Sequence, residues 1–180
     1  MGFMGKGLRG WSDDDETAAV GSPYVILCVD DEKEVLTGIR KDLEYFEDAG
    51  FSLEIALSVD EAWDVVRSYP PGAVALVLCD QLMPGKKGVD FLIELEKFPS
   101  TKQTKKVLVT GQATHEDTIQ AINIGGLDHY IAKPWDPQVL GQVVKKLLTD
   151  FVIAYDPSPA RFASVLDFAR IMEAVHAREV

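Results

Sequence analysis

At 180 residues, with 47% apolar and 26% charged residues, the chain is long enough for one domain with a sizeable core and some excess. A formal charge of −11 argues against direct nucleic-acid binding, which needs clustered Lys and Arg. No stretch approaches the roughly 20 apolar residues of a bilayer-spanning helix. There is no secretory signal core, and the residues after Gly2 lack a myristoylation pattern, so a cytoplasmic protein without membrane contact is expected.

Residues 1–22 hold five glycines and the acidic run Asp13-Asp14-Asp15-Glu16 without periodicity, the pattern of a disordered leader. Tyr24–Val29 is apolar and strand-like. Glu34–Glu47 follows as a helix, with Val35, Leu36, Ile39, Leu43 and Phe46 on one face. Phe51–Leu57 reads as a second strand. Ser58 then caps a helix with Glu61 at the capping-box position, and Pro70-Pro71-Gly72 ends it. Val74–Cys79 is a third strand, followed by a Pro/Gly loop and a helix over Val89–Phe98. Lys106–Thr110 is a fourth strand, and His115–Ile124 a fourth helix stopped by Gly125-Gly126. His129–Ala132 is a short fifth strand before a helix from Pro137 to about Tyr155.

Five strand–helix alternations with short connections imply a parallel sheet covered on both faces. The expected fold class is α/β and flavodoxin-like, with strand order 2-1-3-4-5. Asp156-Pro157-Ser158-Pro159 breaks the chain, and Arg161–Arg178 reads as one further helix with Phe162, Val165, Leu166, Ala169, Met172 and Val175 apolar. That segment is too short for an independent domain, so something must cover its apolar face. Cys28 and Cys79 fall in predicted strands and read as buried thiols rather than a disulfide.

Four chemically active groups follow these apolar runs. They are the Asp30-Asp31 pair, Asp80, Thr110 and Lys133. Each alone has a plain reading: a turn and helix cap for the pair, a cap for Asp80, a strand residue for Thr110, a solvated charge for Lys133. Together they stand at carboxyl ends of strands in one sheet, where side chains converge on a single crevice. Adjacent carboxylates repel unless a cation neutralises them, so the set suits a divalent cation and a phosphoryl group. The loop Met83-Pro84-Gly85-Lys86-Lys87-Gly88 lacks the Gly-Lys-Ser/Thr ending of a P-loop. Lys133 precedes Pro134, and a cis bond there would turn its ammonium inward over the carboxylates. His115, His129 and His176 are scattered without ligand spacing.

From about Tyr24 to Val152 the chain resembles the CheY-like receiver domain of two-component response regulators. The residues that carry the resemblance are Asp30-Asp31, Asp80-Gln81-Leu82-Met83-Pro84 with Gly88, Thr110, and Tyr130-Ile131-Ala132-Lys133-Pro134. The resemblance implies a receiver over 23–155 and a linker with a C-terminal helix over 156–180. It implies that Asp80 takes a phosphoryl group from the phosphohistidine of a histidine kinase or phosphotransfer protein. Asp31, Asp80 and the Leu82 backbone carbonyl would hold Mg²⁺ (Mn²⁺ as an alternative), with Asp30 acting through water. Lys133 and Thr110 would contact the phosphoryl oxygens, and Tyr130 would fill the space Thr110 vacates, giving a two-state switch.

Leu82 and Gln112 stand where such domains tune phosphoryl lifetime, and an apolar Leu82 implies slow self-dephosphorylation. Gly111 replaces the alanine common after the threonine. The resemblance also implies that the face formed by the fourth helix, fifth strand and fifth helix is a candidate dimer or target surface, with Ala121, Ile122, Tyr130, Gln142 and Lys145 on it. The last helix could instead dock on its own body, pair with a second copy or open an output module. The Asp-Gln-x-Met-Pro and Lys-Pro-Trp variants resemble receivers attached to signalling enzymes. Two rival readings remain: an aspartate-nucleophile phosphatase or phosphotransferase of the haloacid-dehalogenase kind, which would need an aspartate at position 82, and a non-phosphorylated pseudo-receiver scaffold.

Overall fold

The computed structural model describes residues 24–111, 116, 123 and 126–179. The expected leader, most of the expected His115–Ile124 helix, and Gln112, His115, Ala121 and Ile122 lie outside the described residues; Glu116 and Asn123 are helical. Five strands, β1 (Tyr24–Val29), β2 (Phe51–Ala56), β3 (Val74–Cys79), β4 (Lys105–Thr110) and β5 (His129–Ala132), form one sheet of order β2-β1-β3-β4-β5. Every pairing is parallel. The described helices are α1 (Lys33–Leu43), α2 (Val59–Ser68), α3 (Gly88–Lys97), α4 (Pro137–Tyr155) and α5 (Phe168–Glu179). Fold and strand order are as the sequence predicts; most boundaries move by a residue or two, but the helix expected to reach Glu47 ends at Leu43 and tightens into a 3₁₀ turn over Glu44–Phe46.

Alternation along the strands sorts the core into two layers. Ile26 and Cys28 of β1, Leu76 and Leu78 of β3, and Val107 and Val109 of β4 point to the layer formed by α1 and α4. Val25, Leu27 and Val29, with Val77, Cys79 and Leu108, point to α2 and α3. All six residues of β3 are buried, because it is the central strand with helices on both faces. Ser58 caps α2, its Oγ accepting from Glu61 N at 3.2 Å, and the Glu61 carboxylate accepts in return from Leu57 N, one residue before the cap, at 2.8 Å, a shifted capping box. Both cysteines are free and buried, and burial pushes the Cys28 thiol up to about 12. No described helix is long and apolar enough to cross a membrane.

The C-terminal segment departs from the expected single helix. It is a 3₁₀ turn (Pro159–Phe162), an irregular stretch, then α5. The break lies at Asp167, whose carboxylate accepts from Arg170 N at 3.2 Å and whose carbonyl accepts from Ile171 N at 3.0 Å. This cap restarts the helical phase. Phe162, Leu166 and Ile171 are therefore buried, whereas Met172 and Phe168 are exposed. Phe162 stacks 5.0 Å from Phe51 and 5.9 Å from Tyr24. Those are the first residues of β2 and β1, so the segment closes the amino end of the sheet. Asp156 pins it, accepting from Tyr24 Oη at 2.8 Å and Arg161 Nη2 at 2.6 Å. Arg178 returns to donate to the carbonyls of Ile153 and Asp156 at the end of α4.

Candidate functional site: an acidic cleft at the carboxyl end of the sheet

The backbone ladder runs one residue past each of two strands. Asp30 N donates to Ala56 O at 3.1 Å, and Asp80 N donates to Val29 O at 2.9 Å. The two aspartates are thereby fixed side by side at the mouths of adjacent strands, and both are buried. Asp31, next in the chain, is exposed, yet carboxylate oxygens of Asp30, Asp31 and Asp80 all lie within 4.8 Å of one another.

Lys133 enters from the end of β5. Its Nζ lies 2.6 Å from Asp30 Oδ2 and 3.5 Å from Asp80 Oδ1. The Lys133–Pro134 peptide is cis, the isomer considered from the sequence. Trp135, two residues on, donates from Nε1 to Asp42 at 2.8 Å and lies against Gly38, holding this loop on α1. Asp30 Oδ1 also accepts from Glu32 N at 2.9 Å. Burial pushes the Asp30 carboxyl above its ordinary value, and its contacts with Lys133 and Glu32 N only partly oppose this. Burial acts against the Lys133 charge, but the hydrogen bond to Asp30 and the two carboxylate charges outweigh it and hold the ammonium above its ordinary value.

Asp80 Oδ1 is buried, and no hydrogen-bond donor approaches it more closely than the Lys133 ammonium at 3.5 Å, which Asp30 holds at 2.6 Å. A buried charged acceptor left open in this way is costly unless a cation or donor completes it. Three carboxylates face one ammonium, so positive charge is in deficit. Hard oxygen donors, a charge deficit and an open buried oxygen are what a small divalent cation requires. The residues present fit Mg²⁺.

A cleft of about 170 Å³ opens above, lined by Glu32, Asp80, Leu82, Thr110, Gly111 and Lys133. Thr110 is buried at the end of β4, and Tyr130 Oη donates to its carbonyl at 3.1 Å. Leu82 is exposed at the rim. The structure thus brings Asp30, Asp31, Asp80, Leu82, Thr110 and Lys133 together, with Tyr130 one contact away. His129 and His176 are exposed and belong to no candidate metal group among the described residues.

Glu32 in the cleft wall was not expected from the sequence, although it directly continues the acidic pair. The reason for Gly88 also emerges only here. A Cβ at Gly88 would stand 1.9 Å from the Asp80 carbonyl oxygen, so glycine alone lets α3 begin against the aspartate's backbone.

The geometry agrees with comparisons to known proteins. The response regulator receiver domain family matches residues 26–145. Response regulator Rre1 of Synechocystis sp. is 34% identical over 131 residues, which cover 72% of this chain and 53% of that protein. The hydrogenase transcriptional regulatory protein HoxA of Cupriavidus necator is 35% identical over 122 residues, covering 67% of this chain and 23% of its own. The chain therefore spans about half of the first of these relatives and less than a quarter of the second. A CheY-like response regulator receiver domain protein from Methanospirillum hungatei JF-1 superposes with a TM-score of 0.63 at 30% identity, covering 72% of this chain and 97% of that one. The signal receiver domain of an HD domain-containing protein from Pseudomonas fluorescens Pf-5 gives 0.65 at 25% identity, covering 72% and 97%. With its 2-1-3-4-5 sheet and its aspartate cluster of the kind typical of receiver Mg²⁺ sites, this chain belongs to the response regulator receiver domain family of two-component signalling.

Proposed function

We propose that Asp80 is the phosphoacceptor of this receiver and takes its phosphoryl group from a phosphohistidine on a histidine kinase or phosphotransfer protein. The observation that carries this reading is the Asp80 carboxylate itself. It lines the cleft with two further carboxylates within 4.8 Å, and the ammonium nearest its Oδ1, Lys133 at 3.5 Å, is shared with Asp30. A carboxylate oxygen of Asp80 attacks phosphorus; the P–O bond forms as the P–N bond breaks. The imidazole nitrogen keeps the electron pair of that bond. Mg²⁺, when bound, offsets charge between the carboxylates and the incoming phosphoryl group.

In this reading Asp31, Asp80 and the Leu82 carbonyl hold the cation, and Asp30 acts through water. Lys133 moves from Asp30 to the phosphoryl oxygens. The Thr110 hydroxyl turns to donate to the phosphoryl group, and Tyr130, whose hydroxyl already reaches the Thr110 carbonyl, follows into the vacated space. Leu82 and Gln112 set the lifetime of the acyl phosphate. A receiver is typically a non-enzymatic signalling domain, so turnover is limited to its own phosphorylation and dephosphorylation.

We take the receiver unit to extend beyond Tyr155, because Phe162, Leu166 and Ile171 complete its core. Tyr130, Gln142 and Lys145 are exposed and offer a surface for a second copy or a target. A cytoplasmic site of action follows from the phosphohistidine donor. The test is intact mass after incubation with acetyl phosphate and Mg²⁺, wild type beside Asp80→Asn. One added phosphoryl group, absent in the variant and after chelation of Mg²⁺, supports the reading. An adduct that persists in Asp80→Asn refutes it.

A further inference from the structure

Gln81 has no part in the chemistry above, yet its placement is unusual. It is completely buried, directly follows Asp80 and directly precedes Leu82. Its backbone carbonyl accepts from Gly88 N at 3.0 Å, and its side-chain Oε1 accepts from Val89 N at 2.9 Å. Gly88 and Val89 are the first two residues of α3. Helix-start amides have no partners within their own helix, and a side chain at the preceding position usually caps them. Here Lys87 stands at that position and makes no side-chain cap. Gln81 satisfies both amides from seven and eight positions upstream.

The rest of the amide shows which end matters. Gln81 Nε2 is buried and has no hydrogen-bond partner. Turning the amide over would set an NH₂ group against the Val89 N–H, so the acceptor end is locked in place. A buried donor left open is tolerated when the opposite end of the same group has a task. An apolar side chain of similar volume would fill the site without that cost.

We propose that Gln81 is a positioning residue for the phosphoacceptor site. It clasps the start of α3 to the end of β3, closing the loop 82–87 at both ends. That loop begins with Leu82, whose carbonyl is a proposed cation ligand, and the clasped helix start abuts the Asp80 carbonyl through Gly88. Without the side-chain bond to Val89 N, the main-chain bond from Gly88 N to Gln81 O alone ties the two ends of the loop, and the Leu82 carbonyl is held less firmly in direction. Groups that orient metal ligands in this way are worth about 10–100-fold in metal affinity. The inference rests on the Asp80–Mg²⁺ reading.

The test uses the full chain and Gln81→Met, which keeps volume but cannot accept a strong hydrogen bond. Val66→Ala, in the same core layer but on α2, serves as the control for stability alone. Four quantities are read: melting temperature, Mg²⁺ dissociation constant by calorimetry, initial phosphorylation rate with acetyl phosphate at saturating and limiting Mg²⁺, and hydrogen exchange of the Val89 amide. Gln81→Met is expected to raise the Mg²⁺ dissociation constant about ten-fold, to slow phosphorylation mainly at limiting Mg²⁺ and to expose the Val89 amide. Val66→Ala is expected to leave Mg²⁺ affinity unchanged despite a lower melting temperature. Wild-type Mg²⁺ affinity in Gln81→Met overturns the inference but leaves the Asp80 reading intact, whereas a wild-type chain that binds no Mg²⁺ overturns both. A Val89 amide that exchanges freely in the wild type overturns the clasp with no variant needed.

Discussion

Truncating Phe162 to alanine tests whether residues 156–179 belong to the receiver core. The ring is 3% exposed and packs 5.0 Å from Phe51 and 5.9 Å from Tyr24, with the Arg161 guanidinium 4.4 Å above it. Phe-to-Ala changes at such sites cost about 3–5 kcal/mol. For a chain of this size each kcal/mol lowers the melting temperature by about 2–4 °C, so the expected drop is about 6–20 °C. That full cost appears only if the segment unfolds with the body. A strap that frays by itself limits the loss to its own small local stability. Leu166, Ile171, the Asp156 cluster and the Arg178 contacts to the end of α4 all argue for joint unfolding. Thermal and urea melts followed by far-UV circular dichroism measure it. Phosphorylation of the folded fraction should be unchanged, since Phe162 sits at the opposite end of the sheet from Asp80. A drop of under about 2 °C would show that the C-terminal segment is an independent appendage, against this reasoning.

Gly88→Ala places a Cβ 1.9 Å from the Asp80 carbonyl oxygen and 3.1 Å from Cys79 Sγ. The obstruction is backbone, so α3 must shift, at about 1–3 kcal/mol and with slower phosphorylation; wild-type melting and rate together would contradict this. At Asp156, burial opposes the charge, but Arg161, Tyr24 and the Ser158 amide outweigh it and hold the carboxyl below its ordinary value. A depressed carboxylate contributes stability above the unfolded value of about 4 and loses it as pH falls further. Asp156→Asn should therefore be less stable than wild type at pH 7, with the gap closing in acid; an equal gap at pH 3 would count against the cluster. Tyr24 beside it is raised to about 12, chiefly by burial and then by Asp156. Its contribution is complete below pH 10 and lost towards 12. Tyr45 and Tyr69 are also raised, by burial and by the hydrogen bond to Glu54, so the check is an absorbance titration in which Tyr24→Phe removes one of the late-ionising tyrosines. Leu82→Asn should shorten the acyl phosphate lifetime by giving the cleft rim a group that orients water. A wild-type half-life of seconds without a phosphatase would remove the basis for that expectation.

Much of this molecule is legible in its sequence because its strands are short and the two that carry the aspartates, β1 and β3, are wholly apolar. Val74–Cys79 reads as a buried strand, which puts Asp80 immediately after it at the sheet's carboxyl edge. The same logic places Asp30, Thr110 and Lys133 without any structure. Periodicity fails where a break resets the helical phase. Asp167 caps α5, and the buried position passes from Met172 to Ile171, which no continuous helix from Arg161 would place inward. Pattern also fails for polar groups whose partners are remote in sequence. Lys106 reads as the polar start of a strand, yet it is buried with its Nζ 2.8 Å from Glu96 and 2.9 Å from the Thr104 carbonyl. Gln81 reads as one letter of a loop motif, and its bonds to α3 depend on how that loop closes. Glu32 carries no signal in the sequence beyond following the Asp30-Asp31 pair, and only the structure sets it beside the cleft.

The most direct measurement is the identity of the residue that carries the phosphoryl group. The chain is incubated with acetyl phosphate and Mg²⁺, reduced with borohydride to convert any aspartyl phosphate to homoserine, digested, and sequenced by mass spectrometry. Homoserine at position 80 alone, absent when Mg²⁺ is chelated, is the expected result. Homoserine at position 30 or 31, or none at position 80 after full reaction, would contradict the assignment of Asp80 as the acceptor.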